Sequence, residues 1–399
     1  MAKDVSTESI DELQNQLTES LGAFRNQHEE IDRVAALKAA QRLVNALQKP
    51  KDSVYHLTYS PTQVMCVRIA IDMGIFTTLT ERNGPVSLDE LAAVKNASPI
   101  LAGMLLFSIV LFGIDYVGEC DTRIYIPTTM TRQLTDRLSI SVVKFLFDVG
   151  MPTLAKIPEF LRQQEHRNPE GTTAGPLQFV EKTDETFWTW LPQNPEYLDS
   201  CNTFMEANRG ARPSWLEWFP VEERLLSVAC SDSETLMVDV AGGRGHELVD
   251  FAARFPDVTG RLVLQDLPHI LEESTIDTKR IEKQAFDLFK PQPIHGARIY
   301  YMKFILHDWS DKDSNVILAQ IAGAMKRGYS KLIIEEFVLA DRDSAMLPAM
   351  CDWVMMIFCN SMERSQSRWT RLLEHAGFQV VKFWAPPGDG QSIIEAELK

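Results

Sequence analysis

A histidine and two glutamates stand where apolar, strand-like runs come to an end. Arg298-Ile-Tyr-Tyr-Met-Lys-Phe-Ile-Leu306 leads directly into His307-Asp308-Trp309. Ser310 then caps a helix, with Asp313 three residues on and Val316, Ile317, Ala319 and Gln320 at helical spacing. His307 therefore falls just past the carboxyl end of a strand, where open α/β sheets bind ligands. Glu336 lies inside Leu332-Ile-Ile-Glu-Glu-Phe-Val-Leu339, and a charge within an apolar run needs a partner. Glu363, in Asn360-Ser-Met-Glu-Arg-Ser, enters the helix that ends at His375-Ala-Gly-Phe378. A lone histidine is more often structural than catalytic. A histidine with two carboxylates at the ends of later segments is a set for acid–base chemistry.

A second constellation reads as a ligand cradle. The run Thr235-Leu-Met-Val-Asp-Val-Ala-Gly-Gly-Arg-Gly-His-Glu247 is an apolar strand that ends in Gly242, Gly243 and Gly245. Helical spacing follows at Leu248, Val249, Phe251 and Ala252. Glycines at such a turn let backbone approach a ligand, and the helix start offers unpaired N–H groups. Asp266 closes the next apolar run, Leu262-Val-Leu264, and is placed to accept hydrogen bonds from ribose hydroxyls. The pattern is a nucleotide-binding βαβ unit. It is not the dinucleotide fingerprint, because Leu248 stands where the third glycine of G-x-G-x-x-G belongs.

The elements that carry these residues alternate. Strand-like runs at 236–241, 261–265, 298–305, 331–339, 379–384 and 392–397 are separated by helices, which predicts a doubly wound α/β sheet. Upstream the chain is helical. Residues 1–50 carry heptad-like apolar positions (Leu13, Leu17, Leu21, Phe24) and read as amphipathic helix up to a break at Pro50. Pro61 opens a helix to Met73, Ser87 and Glu90 form a capping box, and Ser98-Pro99 opens an apolar helix to Phe112. Gly113 ends that helix, and strands at Ile114–Val117 and Ile124–Pro127 complete a winged-helix order. From Lys144 to Pro220 the chain is helical and rich in aromatics, among them Phe187, Trp188, Trp190 and Trp215. These read mostly as core, with some placed to wall a planar apolar substrate. Asn168–Pro176 is the clearest internal loop.

Composition narrows the partners. A net charge of −15 over 399 residues opposes any sequence-independent hold on nucleic acid or on an anionic membrane. The third helix of the winged region, from Ile100 to Phe112, has no Lys or Arg for phosphate or base contacts and suits burial against another subunit. The six cysteines are scattered, with no C-x-x-C pair, as expected of reduced thiols in a cytoplasmic protein. The first residues lack a signal-peptide profile, and the apolar stretch Ile100–Ile114 is too short to span a bilayer.

Asp239-x-Ala-x-Gly-x-Gly resembles the (Asp/Glu)-x-Gly-x-Gly-x-Gly signature of S-adenosylmethionine-dependent methyltransferases, with Ala241 in place of the first glycine. Lys303-Phe-Ile-Leu-His-Asp-Trp-Ser-Asp311, Ile334-Glu-Glu-Phe, Met362-Glu-Arg and Ala376-Gly-Phe make the resemblance specific. From Pro61 to Leu398 the chain looks like the plant and fungal small-molecule O-methyltransferases of the caffeate and flavonoid type, nearest to the fungal enzymes that act on polyketides. The resemblance implies a Rossmann-like catalytic domain behind an α-helical winged-helix dimerisation domain. It makes His307 the general base and has Glu336 and Glu363 hold its imidazole. It assigns the cofactor contacts to Gly242, Gly243, Asp266 (ribose), Asp287 and Leu288 (adenine) and Lys303 (carboxylate end). A second departure is an inserted residue in the turn Arg327-Gly-Tyr-Ser-Lys331.

The chemistry suits these residues. A phenol is a poor nucleophile at neutral pH, and a histidine near its ordinary value of about 6.5 can take its proton during attack. A methyl sulfonium is already activated, so no metal is expected. The expected layout is a helical and winged-helix dimerisation domain over 1–137 and a catalytic domain over 138–399, divided into a helical substrate-pocket segment, 138–222, and a Rossmann-like core, 223–399. Expected partners are an aromatic small molecule, S-adenosylmethionine and a second copy of the chain. Three rivals compete: a family member that binds the cofactor without methylating (a dehydratase, pericyclase or scaffold), a nicotinamide oxidoreductase, and a winged-helix DNA regulator.

Overall fold

The computed structural model describes residues 9–107, 115–169, 173–206, 210, 212–228, 230–276, 280–342 and 344–399. The chain forms two compact units, residues 1–155 with 191–208, and residues 156–190 with 209–399. The first unit thus takes back a stretch that the sequence reading, with its single boundary at 137, assigns to the catalytic half.

In the first unit, the amphipathic start forms two helices, Ile10–Gln27 and Glu30–Leu47, packed on each other. Ser9 and Glu12 cap the first with reciprocal hydrogen bonds, and His28 ends it in the left-handed conformation (φ 56°). The break at Pro50 is the start of a new helix, Pro50–Asp72, which runs through Pro61 instead of beginning there. Pro61 has no N–H for the Leu57 carbonyl, and the Ser60 hydroxyl donates to that carbonyl at 2.8 Å instead. The capping box at Ser87 and Glu90 opens the helix Leu88–Ala93. The winged region adds a three-stranded antiparallel sheet, ordered β1 (Val86–Ser87), β3 (Ile124–Ile126), β2 (Gly118–Asp121). Phe76, Leu79, Leu91, Leu105 and Tyr125 fill its core. The apolar third helix is seen over Pro99–Phe107; its expected continuation to Phe112 and the stop at Gly113 lie outside the described residues, as do 170–172 of the expected loop, while the strand expected over Ile114–Val117 forms later, at Gly118–Asp121, with 115–117 a turn.

One helical run of the described residues, Arg137–Gln163, is long and apolar enough by composition to cross a membrane. Its middle carries Asp148, which accepts hydrogen bonds from Arg68 at 2.9 Å, and Phe145 packs on Phe204 with ring centroids 5.3 Å apart.

In the second unit, a seven-stranded sheet is ordered β6 (Ile281–Ala285), β5 (Arg261–Asp266), β4 (Thr235–Val240), β7 (Ile299–Lys303), β8 (Lys331–Glu336), β12 (Ser392–Leu398), β11 (Phe378–Trp384). Strands β4 to β8 are parallel; β12 runs antiparallel to β8, and β11 antiparallel to β12. Val238, Tyr300, Met302, Leu332 and Ile334 face one apolar layer with Trp369 and Leu372. Met237, Ile299, Tyr301 and Ile333 face the other with Trp215, Leu248 and Phe251. The edge strand β6 escaped the sequence reading because Ile-Glu-Lys-Gln-Ala buries only its first residue and has no apolar run. The strand order reverses between β4 and β7, and such a switch point leaves a crevice at the carboxyl ends of the strands.

Candidate active site

The glycine turn sits at that switch point, directly after β4. A Cβ on Gly242 would overlap the Asp239 carboxylate and come within 2.7 Å of Leu264. One on Gly245, at φ 83°, would overlap Ile276. Gly243, at φ 59°, has open space where a side chain would go, so its backbone can approach a ligand. The Gly243 N–H donates to Asp266 Oδ2 at 2.8 Å, and the Leu267 N–H to Oδ1 at 2.7 Å. Asp266 therefore fixes the turn and still has lone pairs for a ligand hydroxyl. Asp287 and Leu288 follow β6, the neighbour of β5, and Asp287 Oδ1 accepts the Phe289 N–H at 3.0 Å. Lys303 ends β7, and its ammonium pairs with Glu247.

Ala241, where the signature has glycine, adopts φ 56°. The departure therefore strains the backbone as well as adding a methyl group, since an L-residue in this region carries a cost of roughly 1–2 kcal/mol. Ala241→Gly should raise unfolding stability by about 0.5–1 kcal/mol, the relief of strain being partly offset by glycine's chain entropy. Urea denaturation checks this, and a loss of stability would contradict it.

Three carboxylates beneath the turn were only partly foreseen. Asp239 is buried, and its Oδ2 has no hydrogen-bond partner. Burial, with Glu247 nearby, holds its pKa well above the usual carboxylate range. Glu247 is also buried and accepts a hydrogen bond from Trp215 Nε1 at 3.3 Å. Tyr301 donates to buried Glu335. Glu247 directly follows the Gly-rich turn, in the first turn of the helix His246–Arg254, a place where acids suit the helix dipole.

The acid–base cluster forms one strand further along. His307 lies in the tight turn Leu306–Asp308 and is buried. Its Nδ1 is 2.9 Å from Glu363 Oε1 and 3.5 Å from Glu336 Oε2. Its Nε2 is 3.5 Å from Asp308 Oδ1, and the Phe304 ring stacks on it at 5.1 Å. Phe304 itself has φ 53°, a strained state of the kind that clusters at functional sites. A two-residue parallel ladder of β10 (Arg364–Ser365) on β9 (Val338–Leu339) sets Glu363 beside the strand that carries Glu336. The Glu363 N–H donates to Asp352 Oδ1 at 2.8 Å.

The electrostatics correct one expectation. Burial alone would lower the pKa of His307, but Glu336, Glu363 and Asp308 surround it and hold it up at about 10 instead of near neutrality. Burial raises Glu336 to about 7 and Asp308 to about 6, with the imidazolium opposing both shifts. The donor atoms of His307, Glu336 and Glu363 lie within 4.8 Å of one another, close enough to hold a metal ion. The 2.9 Å contact at Nδ1 is equally that of a charge-assisted hydrogen bond.

Asp308, which the sequence reading quotes without a role, also lines a small crevice with Thr186, Phe187, Trp188, Trp309 and Cys359. Its Oδ1 accepts a hydrogen bond from the Cys359 thiol at 3.3 Å. The walls are aromatic: Phe187 meets Phe358 at 5.3 Å, and Trp309 meets Phe289 edge-on at 4.9 Å.

The O-methyltransferase domain family matches residues 218–379. The O-methyltransferase mpaG of Penicillium brevicompactum is 32% identical over 373 residues, covering 92% of this chain and 93% of that protein. Among solved structures, the complex of LepI with SAM superposes with a TM-score of 0.89 at 26% identity, covering 96% of this chain and 97% of that one. A structure described as a pericyclic reaction enzyme also superposes at 0.89, with 25% identity, covering 98% of this chain and all of the other. The chain belongs to the O-methyltransferase family, and its cofactor is S-adenosylmethionine. The glycine turn fits that cofactor: its packed underside, the open face at Gly243, the Asp266 carboxylate and the unpartnered Asp239 oxygen suit a ligand that carries ribose hydroxyls and further hydrogen-bonding groups.

Proposed function

We propose that the protein transfers a methyl group to a hydroxyl of an aromatic small molecule of the polyketide type, with His307 as general base. The observation that carries this reading is the buried His307–Glu363–Glu336 cluster beside an aromatic crevice. Gly242, Gly243, Asp266, Asp287, Leu288 and Lys303 would hold the cofactor. S-adenosylmethionine supplies, when bound, a methyl group already activated as a sulfonium. The acceptor hydroxyl would meet the cluster on the Nε2 and Asp308 side, and Glu363 would fix the tautomer from Nδ1. Incubation with methyl-labelled cofactor and a panel of phenolic polyketides, read by mass spectrometry, tests this.

The likeness to a pericyclic reaction enzyme supports a second reading, a non-methylating conversion of a small molecule. A base held by two carboxylates favours the first. On either reading the cofactor site should behave alike. Asp266→Ala should weaken S-adenosylhomocysteine binding by about 1–3 kcal/mol, because the ribose hydroxyls and the Gly243 amide lose their acceptor. Calorimetry with an unchanged Kd, or saturable binding of NAD to the wild type, would refute the assignment.

A homodimer through the first unit is part of the proposal. Leu57 (74% exposed), Ile100 (77%) and Met104 (68%) leave apolar surface there, and such surface marks association sites. Light scattering should return twice the chain mass; an active monomer at micromolar concentration would contradict this.

A further inference from the structure

We propose that Arg364 is a positioning residue for His307, completing a clamp that holds the turn bearing the base from both of its polar ends. This rests on the reading of His307 as the base. The residues from Ile305 to Trp309 belong neither to β7 nor to the following helix, Asp311–Ala324; the Asp308 and Trp309 N–H groups bond within the turn to the Ile305 and Leu306 carbonyls, and the remaining backbone donors and acceptors need outside partners. On the donor side a single oxygen, Glu336 Oε1, accepts the N–H groups of Ile305 (3.1 Å), Leu306 (2.9 Å) and His307 (3.3 Å). On the acceptor side, Arg364 donates from one terminal nitrogen to the Leu306 carbonyl at 2.6 Å and from the other to the Trp309 carbonyl at 2.7 Å.

The guanidinium is 1% exposed, and burying a charge is costly unless its donors are filled. Its carboxylate partner is Asp311, which takes Nε at 2.8 Å and has a side chain 69% exposed. The planar fork, stacked over Trp369 at 5.3 Å, thus points its two terminal nitrogens at the carbonyls that bracket His307 and Asp308. Glu363, the neighbour of Arg364 in the chain, takes His307 Nδ1. A shift of Arg364 would therefore move the base and its carboxylate against each other.

The groups that set the His307 titration are Asp308 on its own turn, Glu336 from β8 and Glu363 before β10, with Arg364 acting on Glu336. Arg364→Lys keeps the charge and removes the fork, so it separates position from field. The test uses the full chain with S-adenosylhomocysteine bound and ¹³C-labelled histidine, the His307 resonance being assigned by its loss in His307→Gln. R364K should lower the His307 midpoint by about one pH unit, as the contact with Glu363 lengthens. On its pH plateau, where the base is neutral in both proteins, R364K should also cut kcat by about 10- to 100-fold, with the acceptor KM unchanged. Asp311→Asn keeps both carbonyl contacts and should leave the midpoint and kcat as in the wild type.

An R364K protein that folds, binds S-adenosylhomocysteine and keeps the wild-type midpoint would overturn the proposal. So would a D311N loss equal to that of R364K, which assigns the effect to the ion pair, or an R364K chain that does not fold, which assigns Arg364 to the global fold. If the wild type methylates no acceptor, the function reading fails on its own while the resonance still reports the clamp.

Discussion

His307→Gln should lower methyl transfer by about 10²–10⁴-fold while leaving the fold and S-adenosylhomocysteine affinity intact. The side chain is buried in a turn whose backbone is held by Glu336 and Arg364, not by the imidazole, so glutamine can occupy the space without releasing the turn. What it cannot do is accept the acceptor's proton. Glu336→Gln and Glu363→Gln remove charge but leave the base, and each should cost less than the histidine variant on its pH plateau. Combined with His307→Gln they should add little, because groups that act as one unit are not additive. Near-normal turnover by His307→Gln would make the histidine structural.

The pH dependence should be displaced by the same cluster. With its pKa at about 10, His307 carries its proton at pH 7, so the neutral base grows more abundant as pH rises. Turnover in the wild type should climb on the alkaline side of neutrality rather than level off near 6.5. Removing one carboxylate lowers the pKa of the imidazole, and the rising limb of Glu336→Gln or Glu363→Gln should move to lower pH by about one unit or more. The sign is the informative part. A limb that moves upward, or stays fixed in both variants, would show that these carboxylates do not set the protonation of the base.

Much of this site was legible in the sequence because its parts sit at strand ends. Gly242 to Gly245, Asp266, Lys303, His307 and Glu336 all close apolar runs, and the order of those runs fixes a shared carboxyl edge. What stayed hidden depends on tertiary pairing. Strand β6 is a polar edge with no periodicity to detect, and the β9–β10 ladder that sets Glu363 against Glu336 is two residues long. The helix through Pro61 was missed because a serine hydroxyl takes over for the missing amide, a substitution no propensity encodes. Arg364 entered the sequence analysis only as part of Met362-Glu-Arg, with no role of its own; only the fold buries it against the Leu306 and Trp309 carbonyls. The histidine's ordinary pKa failed as an expectation for the same reason, since Glu336 and Glu363, from two other segments, converge on it beside Asp308 of its own turn.

The most direct measurement is a single-turnover assay with methyl-labelled S-adenosylmethionine and a set of phenolic polyketides, run in parallel on the wild type and His307→Gln. The expected result is label on an oxygen of at least one acceptor with the wild type, and a loss of about 10²-fold or more with the variant at equal cofactor occupancy. Conversion of a ligand without label transfer, persisting in His307→Gln, would contradict methylation by a histidine base and favour the pericyclic reading.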